Sequence, residues 1–311
     1  MNVLCLVLLL NALVAPPALP GCQQAKKEKL AHDISVNAIS IAVTVQDRKG
    51  RFINDLRRED FSVFENNTPR PITYFMHDFN APVSLTVLLD VSGSMALQGK
   101  LDESKAALKD MAARFLKESD EVSLLIFADG EVEVAAGFSE DKAAIADVLD
   151  KTEAYGQTAL NDAVAASPGF ANRGKREKRA LILITDGIEN DSRLTPGEAV
   201  EIARKVDVPI YAVGYKIPLS EQYLKKHKRS PKLTAAGIIE TLDRFSQATG
   251  GKAFFVDSPA GLSAALEEIL KELGHYYILG YTSYRNPQNE YRRIRVSASN
   301  KRFLVRTRKG Y

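Results

Sequence analysis

Little in this chain is thiol or imidazole. Only two of its 311 residues are cysteine, Cys5 and Cys22, both at the very start. The remainder therefore has no internal disulfide framework, and its stability must come from packing. Histidine occurs four times, as His32, His77, His227 and His275, spread too widely for a zinc motif and without a Cys pair to help. Charge of one sign is also missing. Lys plus Arg number 42 against 39 Asp plus Glu, and a net +3 gives no reason to expect nucleic acid. There is no Gly-x-Ser-x-Gly elbow and no phosphate loop, which removes two common enzyme signatures. No apolar run is long enough to span a bilayer.

What remains is an ordinary globular composition, 45% hydrophobic and 26% charged, in a chain long enough for one full core and a second small one. Its patterning changes twice. Residues 39–45 alternate, with Ile39, Ile41, Val43 and Val45 on one face. Short strands are expected at 61–64 and 72–79, separated by a turn at 65–69. From Pro82 onward, buried-strand runs (84–89, 122–127, 180–186, 210–214, 253–256) alternate with helical stripes, and 132–138 fits a short antiparallel edge. Helices are expected at 141–149, from Thr158 until Pro168-Gly169 stops it, at 196–206 and at 238–248. A last one carries Leu262, Ala265, Leu266, Ile269, Leu270 and Leu273 on one stripe. After Gly274, alternation returns at 276–281, 291–296 and 303–306.

This order predicts an α/β fold with a doubly wound, mainly parallel, Rossmann-like sheet at 81–274. It is inserted in a small β-sandwich built from the flanks, 34–80 and 275–311, because neither flank alone makes an adequate sheet. The Tyr276, Tyr277, Tyr281 and Tyr284 cluster fits sandwich core and edge. Two basic stretches, 225–229 with Lys216 and Lys232 nearby and 175–179, fit solvated loops. The first could alternatively meet anionic headgroups.

The most informative stretch is Asp90-Val91-Ser92-Gly93-Ser94, directly after the apolar run at 84–89. An Asp and two Ser at alternate positions put three hard oxygen ligands on one loop at the mouth of a strand. Alone, such a sequence is equally an Asx turn capping the next helix. Asp186 also ends a buried run, so the fold brings it to the same sheet edge as Asp90. Thr158, in Tyr155-Gly156-Gln157-Thr158, opens a helix there, and alone reads as its cap.

Taken together these residues resemble the metal-ion-dependent adhesion site of von Willebrand factor type A (VWA) domains: Asp-x-Ser-x-Ser, a distant Thr and a distant Asp, all filled here. The flanks Val45-x-Asp47-x-x-Gly50, Asp60-Phe61-x-Val63-x-Glu65 and Arg306-x-Arg308-Lys309-Gly310-Tyr311 look like a bacterial VWA-related family that surrounds its domain with β segments. The resemblance implies that the hydroxyls of Ser92, Ser94 and Thr158 bind a divalent cation directly, while Asp90 and Asp186 hold its waters and orient the hydroxyls. Hard oxygens favour Mg²⁺, with Mn²⁺ or Ca²⁺ as substitutes. A partner protein's Asp or Glu would complete the shell, which makes the expected function binding without turnover. Some bacterial VWA proteins instead assist MoxR-type ATPases in maturing other enzymes, and this is the alternative reading. A metal-dependent hydrolase is a third, with no evident general base beside Ser92 or Ser94.

The start of the chain carries the localisation signal. Residues 3–14 form an apolar segment of signal-peptide length, and 23–33 a polar tether. Leu19-Pro20-Gly21-Cys22 resembles a lipobox, with Cys22 as the lipidated residue and membrane anchor. Cleavage near Ala15 or Ala18, leaving Cys22 free, is the other route. Both lead to export. The sequence leaves oligomeric state open.

Overall fold

In the computed structural model, residues 35–218, 234–285 and 291–311 are described. The signal-like segment, Cys5, Cys22, the tether and the basic stretch at 225–229 lie outside the described residues.

The alternating N-terminal flank forms β1 (Ser35–Gln46), with Ile41, Val43 and Val45 buried. Next come β2 (Phe61–Glu65), β3 (Thr68–Arg70) and β4 (Ile72–Met76). The stretch expected to be only a turn contains β3, because Asn66 and Asn67 (φ 47° and 66°) make a two-residue hairpin that returns the chain at once. Asparagine tolerates that left-handed geometry, and its twist matches that of the paired strands.

The central unit begins at β5 (Val83–Asp90), buried at every position. It continues through α1 (Lys100–Arg114), β6 (Glu121–Ala128), β7 (Glu131–Ser139), α2 (Lys142–Lys151) and α3 (Leu160–Ala171). The second half holds β8 (Lys178–Thr185), α4 (Pro196–Ala203), β9 (Ile210–Tyr215), α5 (Ala235–Thr249), β10 (Ala253–Val256) and α6 (Pro259–Gly274). The strand order is β10-β9-β8-β5-β6-β7, parallel throughout except for the β7 edge. From β5 the chain runs outward to β6 and β7, then crosses back to β8 on the other side. The β5–β8 boundary is therefore a topological switch point, where open α/β sheets carry their ligands.

Leucine alternation in β5 sends Leu85, Val87 and Leu89 into one core with α1, α2 and α6, and Leu88 into the other with α3, α4 and α5. The C-terminal flank supplies β11 (Tyr277–Arg285), β12 (Ile294–Ala298) and β13 (Leu304–Arg306). They combine with the N-terminal flank in two antiparallel sheets, β13-β1-β11-β4 and β12-β2-β3. One apolar core fills the space between these sheets, from Ile41, Val43, Phe61 and Val63 to Tyr277, Leu279, Tyr281 and Val296. Neither flank could form it alone.

Two local expectations fail. Helix α3 does not stop at Pro168 but runs on to Ala171. Pro168 sits in its last turn, where the Ser167 hydroxyl donates to the Ala163 carbonyl (2.6 Å), and the Pro168 carbonyl accepts from the Asn172 N–H (2.9 Å). Proline lacks the N–H that would reach the Val164 carbonyl, but its own carbonyl carries the ladder on to Asn172. Lys178, read as part of a soluble lead-in, is fully buried. Its Nζ donates to the Leu273 and Gly274 carbonyls (3.3 and 3.2 Å) and lies 5.1 Å from the Tyr276 ring centre. It serves as a cationic cap on the C-terminus of α6. The Tyr cluster divides: Tyr277 and Tyr281 enter the sandwich core, Tyr276 the α/β core, and Tyr284 is exposed.

Candidate metal centre

Three loops meet at the carboxyl edge of the sheet, each held by backbone bonds to another. The first leaves β5 through Val91 and Ser92. The second precedes α3. It bonds the first through Tyr155 N–H to Val91 O (2.7 Å) and Gly93 N–H to Gly156 O (3.0 Å). The third follows β8, where the Asn190 and Asp191 N–H groups donate to Thr158 O (3.1 and 3.0 Å). Gly156 makes this approach geometrically feasible. Its φ is +67°, and a Cβ there would stand 2.2 Å from the Asp129 carboxylate, which accepts from the Gln157 N–H (2.6 Å).

The sequence-expected residues come together around these loops. Asp90 and Asp186 are fully buried, and Ser92 and Thr158 are each 1% exposed. Asp90 accepts from the Ser92 N–H (2.9 Å) through Oδ1 and from the Thr185 hydroxyl (2.6 Å) through Oδ2. The Ser92 and Ser94 hydroxyls lie 3.2 Å apart. Asp186 Oδ1 accepts from the Ile188 N–H (3.1 Å), and Oδ2 receives the Lys100 ammonium at 2.7 Å.

Thr158 differs from expectation in one respect. Helix α3 begins at Leu160, so Thr158 is in the loop before it. The reason is local: its N–H donates to the Asn190 side chain (2.8 Å) and its carbonyl serves the two amides already named. With its backbone committed to the third loop, Thr158 neither joins nor caps α3. Its hydroxyl has no hydrogen-bond partner among the described residues.

The electrostatics are unbalanced. Burial first, and then the neighbouring Asp186 charge, push the Asp90 carboxyl up to about 7, against the hydrogen bonds from Thr185 and Ser92. The Lys100 ammonium pairs with Asp186, whereas Asp90 has only neutral donors, and the Ser92 and Ser94 hydroxyls follow Asp90 on the same loop. These are the hard oxygen donors that a divalent cation takes: a cation there would favour the ionised Asp90 that burial disfavours, and the Thr158 hydroxyl has no hydrogen-bond partner among the described residues to compete for it. Among the described residues no group of three or more His, Cys, Asp or Glu offers an alternative metal site.

Three participants were not read from the sequence. Thr185 anchors Asp90, Asn190 anchors Thr158, and Lys100 pairs with Asp186. Lys100 did carry a signal, since a lysine as first residue of a helix opposes the helix dipole and needs another reason to be there.

Comparison with known proteins bears on the family and the fold. An uncharacterized protein of Borreliella burgdorferi is 22% identical over 240 residues, covering 73% of this chain and 64% of the relative. An uncharacterized protein of Synechocystis is 32% identical over 145 residues, covering 45% of this chain and 33% of that one. The chain thus spans less than two thirds of either relative. The open-conformation crystal structure of the pilus adhesin SpaC from Lactobacillus rhamnosus GG shares the fold, with TM-score 0.51 and 12% identity, covering 73% of this chain and 38% of the adhesin. The von Willebrand factor type A domain family matches residues 84–266, more than half the chain and all three loops of the site. This protein belongs to the von Willebrand factor type A domain family.

Proposed function

We propose that this protein is an exported binding module that captures an acidic side chain of a partner protein through a divalent cation. The observation that carries the reading is the convergence of Asp90, Ser92, Ser94, Thr158 and Asp186 at one sheet edge. There burial and the Asp186 charge push Asp90 toward its neutral form, a cation would favour the ionised form, and the Thr158 hydroxyl has no hydrogen-bond partner among the described residues. Ser92, Ser94 and Thr158 would hold the ion, while Asp90 and Asp186 orient them. Mg²⁺ fits this set best, with Mn²⁺ or Ca²⁺ as substitutes. When bound, the ion supplies an electrophilic position for a carboxylate oxygen, because neutral hydroxyls cancel little of its charge. Membership in the VWA family supports a protein-interaction role.

The arrangement favours binding over turnover. Lys100, the amine nearest Ser94, donates to Asp186 and to the Ser94 carbonyl (3.4 Å) rather than accepting from a hydroxyl, so it is poorly placed as a general base. No helix among the described residues is long and apolar enough to cross a membrane. Export, with attachment through a lipid on Cys22 or release after cleavage, rests on the first residues of the sequence.

The test is capture from cell-envelope extracts by wild type with Mg²⁺, wild type with EDTA, and Thr158→Ala with Mg²⁺. A partner held only in the first condition supports metal-bridged capture. Equal retention in all three would refute it and move the binding surface elsewhere.

A further inference from the structure

Lys100 is the first residue of α1, at the positive end of the helix dipole, and its side chain is only 4% exposed. Both features disfavour an ammonium, so its presence has to be explained by its partner. That partner is Asp186, whose Oδ2 lies 2.7 Å from Nζ and which is itself fully buried. A buried charge of this kind persists only when paired. The second contact of Nζ, to the Ser94 carbonyl, ties it to the loop that presents the two serines. One ammonium thus bridges the two strand-end loops that would have to grip an ion.

We propose that Lys100 is the resident counter-ion of the metal centre and sets how tightly the centre holds a divalent cation. The inference rests on the cation reading given above. Before an ion arrives, the ammonium neutralises Asp186 and keeps the Asp90 and Asp186 loops from repelling apart. Once an ion arrives, the same charge opposes it and weakens its binding. With both carboxylates ionised, Asp90, Asp186 and Lys100 carry a net −1, which a divalent ion turns to +1. That residual charge calls for an anion, so Lys100 exchanges ion affinity for partner capture: the loaded centre is left one negative charge short, and a partner carboxylate supplies it.

The test uses the full chain as wild type, Lys100→Met and Lys100→Gln. Mg²⁺ affinity is measured by calorimetry, and thermal unfolding is followed with and without Mg²⁺. The glutamine variant keeps a donor for Asp186 Oδ2 while losing the charge, so it answers the question even where the methionine variant folds poorly. Both variants are expected to bind Mg²⁺ at least about tenfold more tightly than wild type. Without the ion they should melt lower, and Mg²⁺ should raise their midpoints more than it raises that of wild type. Lower melting with unchanged Mg²⁺ affinity would overturn the inference, since a merely structural lysine predicts it. That result would leave the cation reading intact. Absence of Mg²⁺ binding in all three proteins would overturn the cation reading, and this inference with it.

Discussion

Two buried carboxylate centres in this molecule are solved in opposite ways. In the sandwich, Glu65 at the end of β2 is 1% exposed and completely enclosed by partners. Its Oε2 receives Arg70 (Nη2 at 2.6 Å, Nε at 3.0 Å) and Arg292 (3.3 Å). Its Oε1 receives Ser283 and Tyr311 (each 2.6 Å) and Tyr281 (3.5 Å). Burial alone would raise this carboxyl, but the bonds from Ser283, Tyr311 and Arg70 outweigh it and hold the group below its usual value. At the sheet edge, Asp90 has two neutral donors and a second carboxylate nearby, and it is pushed the other way. A closed centre of the first kind joins structure: Glu65 ties β2 to β11 and to the C-terminal Tyr311. In an open centre of the second kind the ionised carboxyl lacks a counter-ion of its own, and a group perturbed in this way marks a candidate functional site.

Breaking the closed centre should have the largest effect. Glu65→Gln leaves the partly buried Arg70 and Arg292 without their anion, and a loss of about 3 kcal/mol in urea unfolding is expected. Mg²⁺ should not restore it. A loss below about 1 kcal/mol would mean that the guanidiniums find water and the centre is not closed.

Asp186→Asn tests the open centre. It strands the Lys100 ammonium, and about 2–3 kcal/mol of stability should go with it. The difference from Glu65→Gln lies in the ion response. Wild type should gain about 2.7 kcal/mol at a Mg²⁺ concentration one hundred times its Kd, and Asp186→Asn close to none. An equal gain in both would remove Asp186 from the site.

Acid provides a third comparison. Because the folded Glu65 value lies below the unfolded one, near 4.5, its contribution is complete above that pH. The contribution is lost as pH falls through the folded value, when the native state must take up the proton it had excluded. The stability gap between wild type and Glu65→Gln should therefore narrow as the pH falls below about 4.5. A gap that stays constant there would show that Glu65 is not held ionised. The smallest effect is expected from Tyr311→Phe, which removes one of the hydroxyls on Oε1 and should lose about 1 kcal/mol.

Much of the open centre was legible because its residues sit where apolar runs end. Asp90 and Asp186 terminate strands that any burial pattern identifies, and alternate Ser92 and Ser94 follow within one loop. The closed centre was not legible. Glu65 reads as a turn residue between Phe64 and Asn66, and its partners Arg70, Ser283, Arg292 and Tyr311 come from both ends of the chain. Lys100 and Lys178 were missed for a related reason. A lysine is presumed solvated unless its partner is known, and these two are buried against an aspartate and a helix end that only the fold brings near. Pro168 misled in the other direction, since a proline costs the helix one bond and the ladder resumes through the Pro168 carbonyl to Asn172.

The central claim is that oxygens from three loops form one divalent-cation site. The most direct measurement is a calorimetric titration of Mg²⁺ into wild type and Thr158→Ala, a change that removes a hydroxyl with no hydrogen bond among the described residues. The account predicts one ion per wild-type chain, and binding at least about tenfold weaker in Thr158→Ala with thermal stability in the absence of Mg²⁺ unchanged. Absence of Mg²⁺ binding to wild type, or equal affinity in the two proteins, would contradict it.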